Sequence, residues 1–511
     1  MLNNLNNKRL AKNTITLYIR TGIVTLVSLY MARVLLDALG QENYGIYNVV
    51  ASIVVTFSFF NSTLQSAFQR FLTFSLGKKD ELQFSKIYTM SILILAVLVL
   101  LVIILSESFG VWFLNSKLNI PADRMYYAQG AFHFTILTFC IGVMKIPFES
   151  VVIAHEKMAF FAYVSLLEQG LRLLMVYLLY RSPIDELVFY AGLVSCVSLL
   201  TFIVYVVYCR SQFCYCKVVR QWDGPLFKQL LSFSGWTLVG STSSLGAQQL
   251  FVFLLNIFYG VIANAAMGIA TNVVAAVNSF FAGFQTSFRP QIIKSYANHE
   301  YDYLKKMISS TSKISFILMF IPAVLLIINT PFILAIWLKN VPEYTVAFCR
   351  LFLICAIIDA TTGPYNIAII ASGKIKYYEL CISVVFFLDI LGVLALFKLN
   401  VGAEYILYSR IATRGVLNMF IGLYFLNRQF NFDVKGYLKN VIFPIILFLT
   451  LSSPLLLLIV RCFSGWTLMM YSFLYVMIVC VVLSFFIVLN KKERSLLFDL
   501  VRNKLSIKNN N

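Results

Sequence analysis

A chain of 511 residues that is 60% hydrophobic and 12% charged cannot be a soluble globule, in which about a quarter of the residues carry charge. Its mean hydropathy of +0.83 marks a polytopic membrane protein, so the net charge of +19 is read as membrane topology and no nucleic-acid partner is expected.

Fourteen apolar runs of about 20 residues, the length that crosses a bilayer as helix, lie near 14–36, 44–68, 87–106, 127–147, 160–180, 186–209, 230–258, 263–288, 312–337, 346–371, 377–397, 403–426, 440–460 and 467–489. The expected fold is therefore all-α, with about fourteen transmembrane helices and kinks at Pro322 and Pro364. The polar, Asn-rich start and the long first run argue against a cleavable signal peptide.

Two internal echoes organise the chain. Shifted by 220, Gly40 falls on Gly260, Gln65 on Gln285, Phe68 on Phe288, Ser75 on Ser295 and Lys86 on Lys306, with Asp80 on Glu300. Shifted by 217, Pro147-Phe148, Ile153-Ala154 and Lys157 recur as Pro364-Tyr365, Ile370-Ala371 and Lys374. Two parallel six-helix repeats follow, related by an axis along the membrane normal. We expect an N-lobe over 1–209, a cytoplasmic connector over 210–229 that reads as a surface linker, and a C-lobe over 230–426. Two further helices and a basic cytoplasmic tail fill 427–511.

Basic residues fix the orientation. Of 41 Lys and Arg, eight fall within spans and six on one set of loops (Lys117, Arg124, Arg181, Lys339, Lys398 and Arg461), leaving 27 for the termini and the alternate loops. Both termini are expected in the cytoplasm. On that topology only Cys462 of ten cysteines approaches the outer side, so no disulfide framework is expected. Cys214 and Cys216 lack a nearby histidine, and no metal site is expected.

Charges inside a bilayer are costly and mark function or pairing. The eight cations within spans are Arg20, Arg33, Arg70, Lys145, Arg172, Arg350, Arg410 and Arg414. Lys145 and Arg70 lie near inner ends, Arg33 and Arg350 near outer ends, where snorkelling would satisfy them as well as function would. Glu168 and Arg172 form an (i, i+4) pair, yet the 217 offset also sets Arg172 against Asp389, a candidate gating or coupling pair. Arg410 and Arg414 share a face that needs an acid, water or an anionic ligand. The sequence around Asp359 offers it no obvious partner, and a carboxylate in lipid is expected to protonate or bind a cation. Glu168, Arg172, Asp359 and Asp389 are thus the candidates for coupling or gating, with protons or sodium as the drivers considered. Amides such as Gln65, Asn256, Asn272 and Gln285 point to a wet lumen.

The residues Ala32-Arg33, Leu39-Gly40-Gln41-Glu42-Asn43-Tyr44-Gly45-Ile46-Tyr47, Phe68-Gln69-Arg70-Phe71, Gly77-Lys78-Lys79-Asp80 and Phe288-Arg289-Pro290 resemble the polysaccharide and lipopolysaccharide (Wzx-type) flippases. These belong to the multidrug/oligosaccharidyl-lipid/polysaccharide exporter superfamily. The resemblance spans essentially the whole chain and implies two six-helix lobes around a V-shaped cavity, working by alternating access. It also implies a polyprenyl-pyrophosphate-linked oligosaccharide as substrate, turned to the outer leaflet of a bacterial inner membrane for surface polysaccharide biosynthesis. The implied protein is a monomer among membrane lipid, acting with polysaccharide assembly proteins, and is a transporter rather than an enzyme, with no cofactor. Arg33, Arg70 and Arg289 match the family's basic positions and Arg20 fits by place, so these four would bind the diphosphate through charge-assisted hydrogen bonds.

Two rivals are separable. A drug or cation exporter would need acids on the first, second, seventh or eighth helix, where Asp37 alone stands near the end of helix one. A polymerase or glycosyltransferase would need large outer loops bearing catalytic groups. His133, His155 and His299 form no metal pattern and read as packed or solvated residues.

Overall fold

In the computed structural model the chain is helical, and no strand occurs among the described residues. These are residues 13–494, with gaps at 15, at scattered positions in 29–57, and at 118–120, 122, 183–184, 220–221, 339–340, 400–401, 403–407 and 491–492. Among the described residues ten helices are long and apolar enough to cross a membrane. They are α3 (Glu81–Ser116), α4 (Met125–Ala154), α5 (Met158–Leu179), α6 (Glu186–Gln212), α7 (Gly224–Tyr259), α9 (Tyr301–Trp337), α10 (Thr345–Ser372), α11 (Lys376–Lys398), α13 (Val434–Cys462) and α14 (Gly465–Val488). An eleventh, α8, is the pair Ala266–Ser279 and Phe281–Ala297, bent by 44°. The other three expected spans carry helix at Thr16–Ser28 (α1), at Ser58–Gly77 (α2), and from Ile411–Leu417 into Asn418–Phe430 (α12). Each of these three runs into residues outside the description.

Helix α9 passes through Pro322 and α10 through Pro364. A bend of 44° falls at 279–281 in α8.

The turns between helices carry the internal repeat. After α2, Lys79 adopts a left-handed φ of 57°, Asp80 N–H donates to Ser75 O at 3.1 Å, and Lys79 N–H donates to Leu76 O at 3.1 Å. This is a Schellman closure, which satisfies the last carbonyls of a helix. Exactly 220 residues on, His299 has φ 59°, and Glu300 N–H donates to Ser295 O at 2.9 Å. The 217 offset holds as well. Glu156 and Gly373 have φ of 57° and 76°, and their N–H groups donate to Ile153 O and Ile370 O. Sequence identity between the repeats is thin, but the conformations at their helix ends coincide.

By internal contacts the chain forms two compact units, Leu10–Leu238 and a second from Val239 onward. The division falls inside α7, so the connector and α7 as far as Leu238 belong to the first unit. That connector is not a loose linker. Ser85 Oγ donates to Tyr215 O at 2.7 Å, Val219 N–H donates to Thr89 Oγ1 at 3.0 Å, and Lys86 pairs with Asp223 at 3.4 Å. His155 Nε2 lies 2.6 Å from Tyr215 Oη, and its ring stacks on Phe213. His155 is thus a packed histidine that fastens the connector to the inner end of α4.

Apolar cores hold each unit. In the first, Phe132, Ile136, Leu114 and Val50 form one cluster, and Met31, Leu35, Met175 and Val176 form another. In the second, Phe251, Leu255, Phe348, Val393 and Phe397 pack together. Leu451, Leu455, Leu458, Phe473 and Ile478 of α13 and α14 remain exposed, as expected of faces solvated by lipid.

Candidate functional site

The first unit gathers charge from three helices, α1, α4 and α5, and an amide from α2. On α4, Lys145 precedes Glu149 by one turn across Pro147, the less favourable order for a helical pair, so tertiary partners must hold the arrangement. Lys145 Nζ lies 3.3 Å from Glu149 Oε1 and 3.7 Å from Glu168 Oε2 on α5. Glu168 Oε1 also accepts from Arg172 Nη2 at 2.7 Å, and Glu149 Oε2 accepts from Gln65 Nε2 of α2 at 3.0 Å. Arg20 of α1 donates to Ser165 Oγ of α5 at 3.1 Å, with its guanidinium 5.2 Å from the Phe161 ring centroid. The network thus holds Arg20, Lys145 and Arg172 against Glu149 and Glu168, an excess of one positive charge. It is accessible: the side chains of Lys145 and Glu149 are each 18% exposed and that of Arg172 42%.

Three of the eight expected site residues, Arg20, Glu168 and Arg172, therefore meet in one network. Arg70 is held elsewhere in the same unit. It is buried, with its guanidinium 4.5, 5.2 and 5.3 Å from the ring centroids of Phe71, Phe74 and Phe233, a set of cation–π contacts. Arg33 and Asp37 lie outside the described residues, as does the Arg414 side chain. In the second unit Arg289 is half-buried one residue before Pro290, and Asp359 is exposed on α10.

Asp389 takes a partner within its own unit. Arg410 Nε lies 3.3 Å from its Oδ2, and Thr413 Oγ1 donates to its Oδ1 at 2.7 Å. Gln248 Oε1 of α7 accepts from Arg410 Nη2 at 3.2 Å, and the Phe251 ring lies under the guanidinium. The π-helical Ile411–Leu417 adds a residue to the turn after Arg410, and both groups reach the same carboxylate from it. The acid that Arg410 needs is Asp389. Arg172 and Asp389 each have a partner in their own unit, Glu168 and Arg410 respectively, so neither is left to require the other.

Two charged residues escaped sequence reasoning. Glu149 was signalled only by its spacing from Lys145. Lys313, placed at the border of an apolar run, lies inside α9 with its side chain 1% exposed, 3.2 Å from Glu493. The second unit also contains an apolar cavity of about 800 Å³ between α8, α9 and α14, lined by Pro322, Leu325, Ile333, Trp466, Met470 and Phe473.

No family model matches the sequence, and no curated protein matches it. Solved structures do match in fold. A MATE transporter variant superposes with a TM-score of 0.72 at 11% identity, covering 83% of this chain and 97% of that one. An outward-facing multidrug resistance MATE family transporter of the MOP superfamily superposes with a TM-score of 0.69 at 11% identity, covering 83% and 96%. A MOP superfamily transporter from Pyrococcus furiosus, described as having a binding pocket of reverse polarity, gives 0.69 at 12% identity with 83% and 96% covered. The chain has the fold of MATE transporters.

Proposed function

We propose that this chain is a membrane transporter that flips a polyprenyl-pyrophosphate-linked oligosaccharide from the cytoplasmic to the outer leaflet of a bacterial inner membrane by alternating access. The observation that carries the reading is the excess of cations in the accessible network of the first unit. Three basic groups face two carboxylates there, which suits an anionic ligand better than a cationic one. The apolar cavity between α9 and α14 supports the lipid-linked part of the reading, since a polyprenyl tail needs apolar surface. Arg20 and Arg289, half-buried, are the binding arginines we retain as diphosphate contacts, with Arg33 retained on sequence grounds. Arg70, closed in by three rings, would act by positioning α2 against α7. Glu168 is the acid we assign to proton or sodium coupling, because its side chain is 20% exposed whereas that of Asp389 is fully enclosed with Arg410 and Thr413.

The second reading, a drug or cation exporter of the same fold, is favoured by one observation: Glu149 and Glu168 lie close enough to share Lys145. Reconstituted proteoliposomes separate the two. A fluorescent short-chain polyprenyl-diphosphate oligosaccharide should become accessible on the far leaflet in the presence of the protein. Arg20→Ala should slow this by roughly ten- to a hundred-fold, the worth of one charge-assisted hydrogen bond, and Arg20→Lys by less. Gradient-driven accumulation of an organic cation, with no flipping of the lipid-linked saccharide, would transfer the assignment to the exporter.

A further inference from the structure

Lys145 is held differently from Arg410, Lys313 and Arg70. Arg410 and Lys313 are 3% and 1% exposed at the side chain and locked to carboxylates, and Arg70 is enclosed by rings. The Lys145 ammonium is instead reachable and sits between two carboxylates at 3.3 and 3.7 Å, both longer than the 2.7–2.9 Å of a well-formed charge-assisted hydrogen bond. Each of those carboxylates has a second donor. Gln65 serves Glu149 and Arg172 serves Glu168. Withdrawing Lys145 would therefore leave neither acid without a partner, and the usual penalty for breaking a buried pair would not arise.

Arg20 complements this arrangement. Its guanidinium donates to a neutral hydroxyl, Ser165 Oγ, and among the described residues it forms no ion pair. Phe161 supports its guanidinium from below. Tyr205, buried beside Lys145 with its ring centroid 5.8 Å from Nζ, bounds the other side. Lys145 and Arg20 both feel the charges of Glu149 and Glu168, and a flexible ammonium and a rigid guanidinium around one pair of acids can each take a phosphoryl group.

We propose that Lys145 and Arg20 are an anion-binding pair for the diphosphate of a lipid-linked ligand, and that Glu149 and Glu168 hold the Lys145 ammonium until the diphosphate replaces them. This rests on the flippase reading above. The exchange swaps carboxylate oxygens for phosphoryl oxygens around one ammonium, and no covalent bond changes. It gives adjacent residues opposite effects: Lys145 contributes to binding, whereas Glu149 competes with it.

The test is direct binding of farnesyl diphosphate to the full-length purified chain in detergent, with farnesyl monophosphate and phosphatidylglycerol as comparison ligands. Lys145→Gln should weaken binding roughly ten- to a hundred-fold, with Lys145→Arg between it and the parent. Glu149→Gln should tighten binding by about two- to five-fold, the worth of a part-exposed ion pair. Unchanged affinity in Lys145→Gln, or weaker affinity in Glu149→Gln, would overturn the exchange. Thermal unfolding checks that each variant is folded, and if Lys145→Gln is not, the sign of the Glu149→Gln effect decides alone. A parent chain that prefers neither diphosphate over monophosphate nor over phosphatidylglycerol defeats the flippase reading itself. A parent that does, with both variants unaltered, defeats only the exchange.

Discussion

Pro331 has no N–H to give to the carbonyl of Ile327 four residues earlier, and two side chains take its place. Thr330 Oγ1 of the same helix donates to Ile327 O at 3.2 Å and Arg350 Nε of α10 at 3.0 Å, so a cation that could have been an outer-end anchor caps a carbonyl left open by a proline 19 residues before it. No spacing rule links the two positions, which is why sequence reasoning left Arg350 undecided. Arg410 is similar: its need for an acid was legible, but its partner on α11 was not. At the connector, residue-scale environment makes a chemical prediction. Cys214 is exposed and Cys216 buried, and burial pushes the Cys216 thiol up to about 12. A raised thiol pKa keeps the unreactive protonated form, so at pH 8 only about one Cys216 in ten thousand is thiolate. In single-cysteine variants retaining one or the other, a soluble maleimide at pH 8 should label Cys214 within minutes and leave Cys216 largely unmodified. Raising the pH toward 9.5 should increase the Cys216 rate. Equal rates at pH 8 would mean that the connector does not stay docked on α3 and α4.

At the level of elements, the repeat was legible because its marks lie at helix ends, where a single left-handed residue must be followed by a closing N–H. Ser75 and Ser295, Asp80 and Glu300 were matched by sequence, and their backbone bonds proved equivalent. The attachment of the last two helices was not legible, since it depends on residues 180 apart. Glu493, in the turn following α14, accepts from Lys313 Nζ at 3.2 Å and from Ser310 Oγ at 2.5 Å, and also accepts from the N–H of Asn490 at 2.7 Å. An apolar-run count places Lys313 at a border because α9 begins eleven residues before that run does. A lysine 1% exposed is tolerable only while its carboxylate is present. Removing one member of a buried pair typically costs about 3–5 kcal/mol, whereas removing both costs far less. Lys313→Met with Glu493→Gln should therefore restore most of the thermal stability lost in Glu493→Gln alone, measured by unfolding in detergent. Limited proteolysis should cut near residue 490 faster in the single variant than in the double. A double variant as unstable as the sum of the singles would refute the pairing.

For the whole molecule the decisive quantity is the distribution of charge about the spans. Helix parity ties the turns together. The closures at Lys79 and His299 each follow an even-numbered helix, whereas the ends of α3 near Lys117 and of α9 near Trp337 each follow an odd one. If every span crosses once, the first pair of sites shares one side of the membrane and the second pair shares the other. We propose that the first side is the cytoplasmic one, because the loops there carry 27 Lys and Arg against six and basic loops resist translocation. Under the proposed flippase reading the same count sets the direction, since a diphosphate made in the cytoplasm would be captured from the basic side. Parity also makes the prediction sharp, because one misread span would invert everything beyond it. Single cysteines introduced beside Lys117 and Lys339 in a cysteine-free background should react with an impermeant maleimide applied to intact cells. Those beside Lys79 and Lys305 should react only after the membrane is permeabilised. Labelling of Lys117 and Lys79 neighbours as expected, with the Lys339 and Lys305 neighbours reversed, would mean an odd number of crossings between the repeats. The repeats would then be inverted rather than parallel, and the 220 offset could not be a rotation about the membrane normal.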